Sequence, residues 1–178
     1  MYNWKLIDED FLDFLRTKET RIPKTNYGLG KMKPFFGELF EKDGLAYVTQ
    51  ISSAKPRHLK MKQTLDFLKF YDSKNDLVFV VNLNYMFPVP KKYLSNLNYA
   101  YIYSLKSPTE ASKYISFLKN ELKMLNSQDI TKKALRIYQL KQNNPNHVIS
   151  NRCFDFLSLE NACHEYIKMK DGTDDVSL

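Results

Sequence analysis

The chain has 178 residues, 43% of them hydrophobic, with 12 Phe and 12 Tyr, enough apolar material for one domain with a substantial core. It carries 27 Lys and Arg against 20 Asp and Glu, and its only cysteines are Cys153 and Cys163. With no CxxC pair and no nearby His pair at zinc spacing, neither a disulfide framework nor a structural zinc site is expected. The opening MYNWKLIDED lacks the basic and then apolar order of a secretion signal, and LVFVV, at 77–81, is too short to cross a bilayer. The expectation is a cytoplasmic protein with no membrane partner.

In chain order, NWKLI reads as a first strand. Asp8 is placed to cap a short helix whose apolar face includes Phe11, Leu12 and Leu15. RIPKTNYGLGKMK, with a proline, two glycines and four cations, reads as a loop. PFFGELF and GLAYVTQIS follow as two strands joined at Asp43-Gly44, a tight-turn signal, and the hairpin ends at Ser52 and Ser53. KMKQTLDFLKFYD fits either a short helix or an irregular strand. LVFVVNL is a buried strand and NYMFPVP an extended edge stopped by its prolines.

Beyond residue 106 the period changes to helical. Ser107, Pro108 and Glu110 make a capping box with proline at the first helical position, and Ala111, Tyr114, Ile115, Leu118, Leu122 and Leu125 repeat as one apolar stripe. Further helices are expected over 130–141 and, behind Asp155, over 156–168. The ending DGTDDVSL reads as an acidic, solvent-facing tail. Strands first and helices later give an α+β fold: a curved antiparallel sheet or open barrel with C-terminal helices packed on it, in a single domain, 1–178.

The positive charge is concentrated. Between Arg21 and Cys153 there are 22 basic and 9 acidic side chains, a body that attracts polyanions unless the lysines merely solvate its surface. The densest polar cluster, ISSAKPRHLK, stands where the second hairpin strand ends. It lacks the glycines of a phosphate-binding P-loop; no HExxH or acidic cluster supplies a metal site, and GxSxG is absent. No cofactor is called for.

Cleavage of RNA needs less equipment, because the ribose 2′-hydroxyl beside the scissile phosphate is the nucleophile. The protein must position it, move two protons and stabilise phosphate charge. Ser52 and Ser53 can hydrogen-bond to phosphate oxygens, Lys55 can meet the developing charge, and His58 and Tyr27 are candidate proton carriers. The bland alternative is that the serines cap a turn before Pro56 while Lys55 and Arg57 are solvated.

The order of RIP, KPFFG, the strand ending in ISSAKPRH, then NLNYMFPVP and the closing CFDFLSLENACHEYI resembles the toxins of type III toxin–antitoxin systems, the ToxN/AbiQ family. That resemblance implies a metal-independent endoribonuclease with a Kid/MazF-like fold, cutting mRNA and phage transcripts at adenine-rich sites to leave 2′,3′-cyclic phosphates. It also implies neutralisation by a repeat-derived pseudoknot RNA antitoxin that the toxin processes, assembly of several protomers with that RNA into a closed ring, and abortive phage infection.

Matched to the family's element, Ser53, Ser52 and Lys55 carry over, with serine at Ser52 where threonine is common and Ala54 in place of a frequent proline. Lys33 matches a further active-site lysine, with Lys31 as its rival, and Tyr27 matches a tyrosine in the preceding loop. For RNA backbone contacts the candidates are Arg57, Lys60, Lys62, Lys91, Lys92, Lys113, Lys119 and Lys123. Tyr85, Phe87 and Tyr93 are the candidates for base stacking, or else core residues. The rival functions are a non-catalytic RNA-binding module and a protein-binding regulator with an incidental basic surface.

Overall fold

The computed structural model describes residues 1–28 and 30–174, the last two of these by backbone alone. Among the described residues the strands form three antiparallel sheets of three strands each, and most of the helices follow them in the chain. The α+β expectation holds at that level. Among the described residues no sheet closes on itself as a barrel.

Strand β1 (Asn3–Ile7) is central in the first sheet, between β2 (Phe35–Gly37) and β9 (Leu94–Asn96), with Trp4 opposite Phe36 and Leu6 opposite Ser95. Asp8 caps α1 (Glu9–Lys18) by accepting from the Phe11 amide at 2.9 Å, and Phe11, Leu12 and Leu15 are all buried as their spacing predicts. Such a cap stabilises a helix by about 1 kcal/mol.

The predicted hairpin exists. Its turn is Asp43-Gly44, both at positive φ (51° and 77°), joining β3 (Glu41–Lys42) to β4 (Leu45–Val48). Its second arm, however, serves two sheets. β4 pairs with β8 (Phe87–Pro90), whereas β5 (Ile51–Ser53) pairs with β7 (Leu77–Asn82), which continues to β6 (Phe67–Tyr71). The handover falls at Thr49 and Gln50, where Thr49 still bridges Phe36 but Gln50 turns its side chain to a neighbouring loop. KMKQTLDFLKFYD thus ends in a strand, and the PRHLK after Ser53 coils into α2 (Pro56–Lys60).

The C-terminal half is α3 (Tyr99–Leu105), α4 (Pro108–Asn126), α5 (Ile130–Asn143), α6 (Val148–Arg152) and α7 (Phe156–Asp174). Both halves of the predicted capping box are made at the start of α4, Ser107 to the Glu110 amide and Glu110 back to Ser107. α4 lies on the first sheet, where the Trp4 indole N–H donates to the Leu118 carbonyl at 2.9 Å. α7 packs on β8 and on α1: Cys163 lies against Pro88, and Tyr166 meets Phe11 edge-on at 5.3 Å. It outlasts its expected end at 168 and takes the first part of the acidic tail into the helix; 175–178 lie outside the described residues.

One hydrophobic cluster joins these elements, from Trp4 and Phe36 through Tyr47 and Phe79 to Phe156 and Tyr166. Inside it the buried Glu160 carboxylate accepts from Tyr47 Oη (2.7 Å) and Tyr138 Oη (2.8 Å) and pairs with Lys42 at 3.2 Å. A buried acid so fully partnered is a packing device, because its hydrogen bonds offset the loss of water. No helix of the described residues is long and apolar enough to cross a membrane.

Candidate active site

Successive side chains of a strand point to opposite faces, and β5 uses this at its end. Ser53 lines a cleft of about 520 Å³, whereas Ser52 lines a smaller one of about 230 Å³. Tyr27, Lys33 and Ile51 line both. The larger cleft is completed by Trp4, Lys31, Met32, Tyr114, Phe117 and Glu121, so the N-terminal loop, β5 and α4 each supply one wall.

The loop is held in shape by its own backbone. The Tyr27 amide donates to the Lys31 carbonyl, and the Lys31 and Lys33 amides to Gly28 and Thr25, all at 2.8 Å. Gly30 sits at φ 68°, and a Cβ there would stand 2.8 Å from the Leu105 carbonyl oxygen, so glycine is required by both dihedral and space. Two side chains pin the loop from outside. The Gln50 amide nitrogen donates to the carbonyls of Lys24 (2.8 Å) and Lys33 (2.7 Å), and Tyr114 Oη donates to the Met32 carbonyl (2.7 Å). Lys33 and Tyr27 are thereby presented beside β5.

The site's charges are unbalanced. Burial pushes Lys33 below the usual lysine range and nearby Lys55 pushes it further, while Glu121 holds it up. Glu121 itself is 1% exposed, neither of its oxygens has a hydrogen-bond partner, and burial raises its pKa to about 8 against the opposing pull of Lys33. Burial, with Glu121 adding to it, lifts the Tyr114 hydroxyl to about 12. Lys55 is exposed just past Ser53, close enough to act on Lys33.

The structure therefore brings together Ser53, Lys33, Tyr27 and Lys31 in one cleft, with Lys55 beside it and Ser52 behind it. His58 does not join them. It is 4% exposed, its Nδ1 accepts from the Lys55 amide at 3.2 Å and its ring meets Phe67 edge-on at 5.8 Å. Burial, then the neighbouring Arg57, Lys55 and Lys69, push its pKa down. The imidazole is a neutral brace for the turn after Ser53, which corrects its reading as a proton carrier.

Several RNA-contact expectations also change. Phe87 is fully buried against Phe35, so it offers no stacking face, and Tyr93 is stacked on Phe11. Lys91 pairs with Glu41 (2.5 Å) and Glu38 (3.6 Å), and Lys92 pairs with Asp171 (2.7 Å), so each would have to exchange an acid for phosphate. Arg57, Lys60, Lys62, Lys113 and Lys123 are exposed, while Lys119 covers the Tyr99 ring. Tyr85 is exposed and lines the smaller cleft with Arg21 and Gln50. Sequence reading missed Glu121, Tyr114 and Gln50. Glu121 did leave a signal, a carboxylate three residues beyond Leu118 on an otherwise apolar stripe.

Comparison with known proteins bears directly on this arrangement. The chain is 25% identical over 166 residues to Endoribonuclease ToxN of Bacillus thuringiensis subsp. kurstaki, covering 90% of this chain and 81% of that protein. It shares its fold with AbiQ, a lactococcal anti-phage endoribonuclease of a type III system (TM-score 0.74, 17% identity, 94% of this chain and 99% of that one). It also shares it with a type III toxin studied for selective inhibition by a non-coding RNA pseudoknot (TM-score 0.71, 22% identity, 94% and 98% covered). The model of the family described as toxin ToxN, type III toxin–antitoxin system, matches residues 3–164, so the chain belongs to that family.

Proposed function

We propose that the protein is an endoribonuclease toxin that cleaves RNA without a metal ion, at the cleft holding Ser53, Lys33 and Tyr27. One observation carries the reading: a hydroxyl, a partly buried lysine and an exposed tyrosine, from two segments distant in sequence, are held on one cleft with Lys55 beside it. Those groups suit attack by the substrate's own 2′-hydroxyl. The 2′-oxygen bonds to phosphorus as its proton passes to a base; the bond to the 5′-oxygen breaks and that oxygen takes a proton from an acid. A 2′,3′-cyclic phosphate and a 5′-hydroxyl result.

Ser53 Oγ donates to a non-bridging phosphate oxygen, and Lys33 and Lys55 stabilise the charge that grows on the pentacoordinate phosphorus. Tyr27, on the wall of both clefts, is within the site as a proton carrier. Ser52 and Tyr85 line the adjoining cleft, which suits the neighbouring nucleotide. Arg57, Lys60 and Lys62 extend the positive surface beyond Lys55 along α2 and its exit.

In this reading the whole chain, 1–178, acts as one cytoplasmic domain whose three sheets follow the curved, Kid/MazF-like surface expected of the fold. Its partner is a repeat-derived pseudoknot RNA that occupies the same cationic groups, in a ring of several protomers, until phage infection releases the toxin onto mRNA and phage transcripts. A relative's name as an endoribonuclease and a neighbour's inhibition by an RNA pseudoknot support both halves. The test is purified, RNA-free protein on a long transcript in excess EDTA, beside Ser53→Ala. Discrete cuts by the wild type alone support the enzyme. RNA binding by both without any cut leaves the non-catalytic module.

A further inference from the structure

Among the described residues Glu121 is the only acid lining the larger cleft, where it shares the lining with Lys31 and Lys33 from the loop and with Tyr114, two turns earlier on α4, while Lys55 acts on Lys33 from beyond the end of β5. Its carboxyl is almost wholly buried and has no hydrogen-bond partner. An unpartnered buried polar group costs on the order of 1–3 kcal/mol, so an apolar residue here would pack α4 at lower cost. The other buried acid, Glu160, is saturated with donors and holds elements together. Glu121 holds nothing by contact, and the group that acts on it is Lys33 across the cleft.

We propose that Glu121, buried and without a hydrogen-bond partner on the wall it shares with Lys33, is a positioning residue that acts through Lys33 across the cleft. Lys33 thereby keeps its ammonium charge for the scissile phosphate. The assignment of Lys33 to phosphate rests on the endoribonuclease reading above; the pairing itself does not. Desolvation raises Glu121 to about 8 and depresses Lys33, so rising pH ionises the acid, and the new negative charge opposes loss of the lysine's proton. Below that point the neutral acid leaves Lys33 unneutralised, which is the state that attracts phosphate. Lys55 works in the opposite sense, since a second cation favours the uncharged amine.

Removing the carboxylate while keeping its shape isolates this role. Competitive acetylation with acetic anhydride from pH 6 to 11, read at Lys33 by mass spectrometry and referenced to the exposed Lys60, reports the lysine's titration without any RNA. In Glu121→Gln the Lys33 midpoint falls by about one pH unit, and Glu121→Asp restores part of the shift. The alkaline limb of RNA cleavage moves with it. An unchanged Lys33 midpoint overturns the proposal, as does a loss of cleavage equal at every pH. If the wild type cuts no RNA, the endoribonuclease reading fails by itself, and acetylation still decides the pair.

Discussion

Ser52 and Ser53 are neighbours in the chain that open onto different clefts, Ser53 onto the one shared with Glu121 and Ser52 onto the one shared with Tyr85. The two hydroxyls therefore have separable duties. Ser53→Ala is expected to lower cleavage by about a hundredfold or more, the scale of losing one transition-state donor, while RNA affinity stays within a few-fold. Ser52→Ala, beside the adjoining nucleotide, weakens affinity and costs about tenfold or less in rate. Cleavage kinetics and filter binding on one transcript separate the two.

Gln50 is a hinge pin, not a reacting group. Its amide bonds to the Lys24 and Lys33 carbonyls are the side-chain ties that join β5's approach to the loop. Gln50→Ala removes two hydrogen bonds at the protein surface, worth about 1 kcal/mol each. The expected result is faster amide exchange confined to 24–28 and 30–33 and reduced cleavage, with a small change in global stability.

Cations on the surface divide by whether an acid already holds them. Lys60→Ala and Lys62→Ala should each weaken RNA binding and reduce the salt slope by about one. Lys91→Ala and Lys92→Ala should leave both nearly unchanged, since Glu41, Glu38 and Asp171 occupy those ammonium groups. Affinities measured across a salt series read this directly.

The buried acid sets a pH dependence of stability whose sign can be worked out. Glu121 has a folded pKa of about 8 against an ordinary 4.5. Between these values the unfolded chain has released the proton that the folded chain keeps, so rising pH favours unfolding. Relative to wild type, Glu121→Gln should gain ~2–4 kcal/mol of stability between pH 4.5 and 8, and denaturant unfolding at both ends of that range measures it. His58 runs the other way. With its pKa depressed, the folded state resists the proton that the unfolded chain takes up, so its stabilisation is complete above about 6.5 and is lost as pH falls below it. His58→Asn should flatten the acid side of the profile.

Local signals carried much of the fold into the sequence. Asp8, the Asp43-Gly44 turn and the Ser107-Pro108-Glu110 box each act within a few residues, and each is where the pattern put it. Pairing was not legible, because nothing local tells β4 to choose β8 and β5 to choose β7 across about 30–40 residues of chain. The short helices α3 and α6 were missed because each has a single buried residue on one or two turns, too little for a period. At the site, the strand ending at Ser53 and Lys55 after it were visible as chemistry, whereas Lys33 in KPFFG came only through the family resemblance. His58 was misread because residue type does not reveal burial, Phe87 took the core alternative left open for it, and Glu121 was passed over because it stands inside an apolar stripe.

The central claim is that the RNA itself supplies the nucleophile at the Ser53 cleft. The most direct measurement maps one cut on a short RNA in excess EDTA, then replaces the single ribose 5′ to that phosphate with 2′-deoxyribose. The account predicts that the cut at that phosphate disappears while the altered RNA still binds, and that the unmodified fragment ends in a 2′,3′-cyclic phosphate. Cleavage that persists at the deoxy position would contradict it, because the attacking oxygen would then have come from elsewhere.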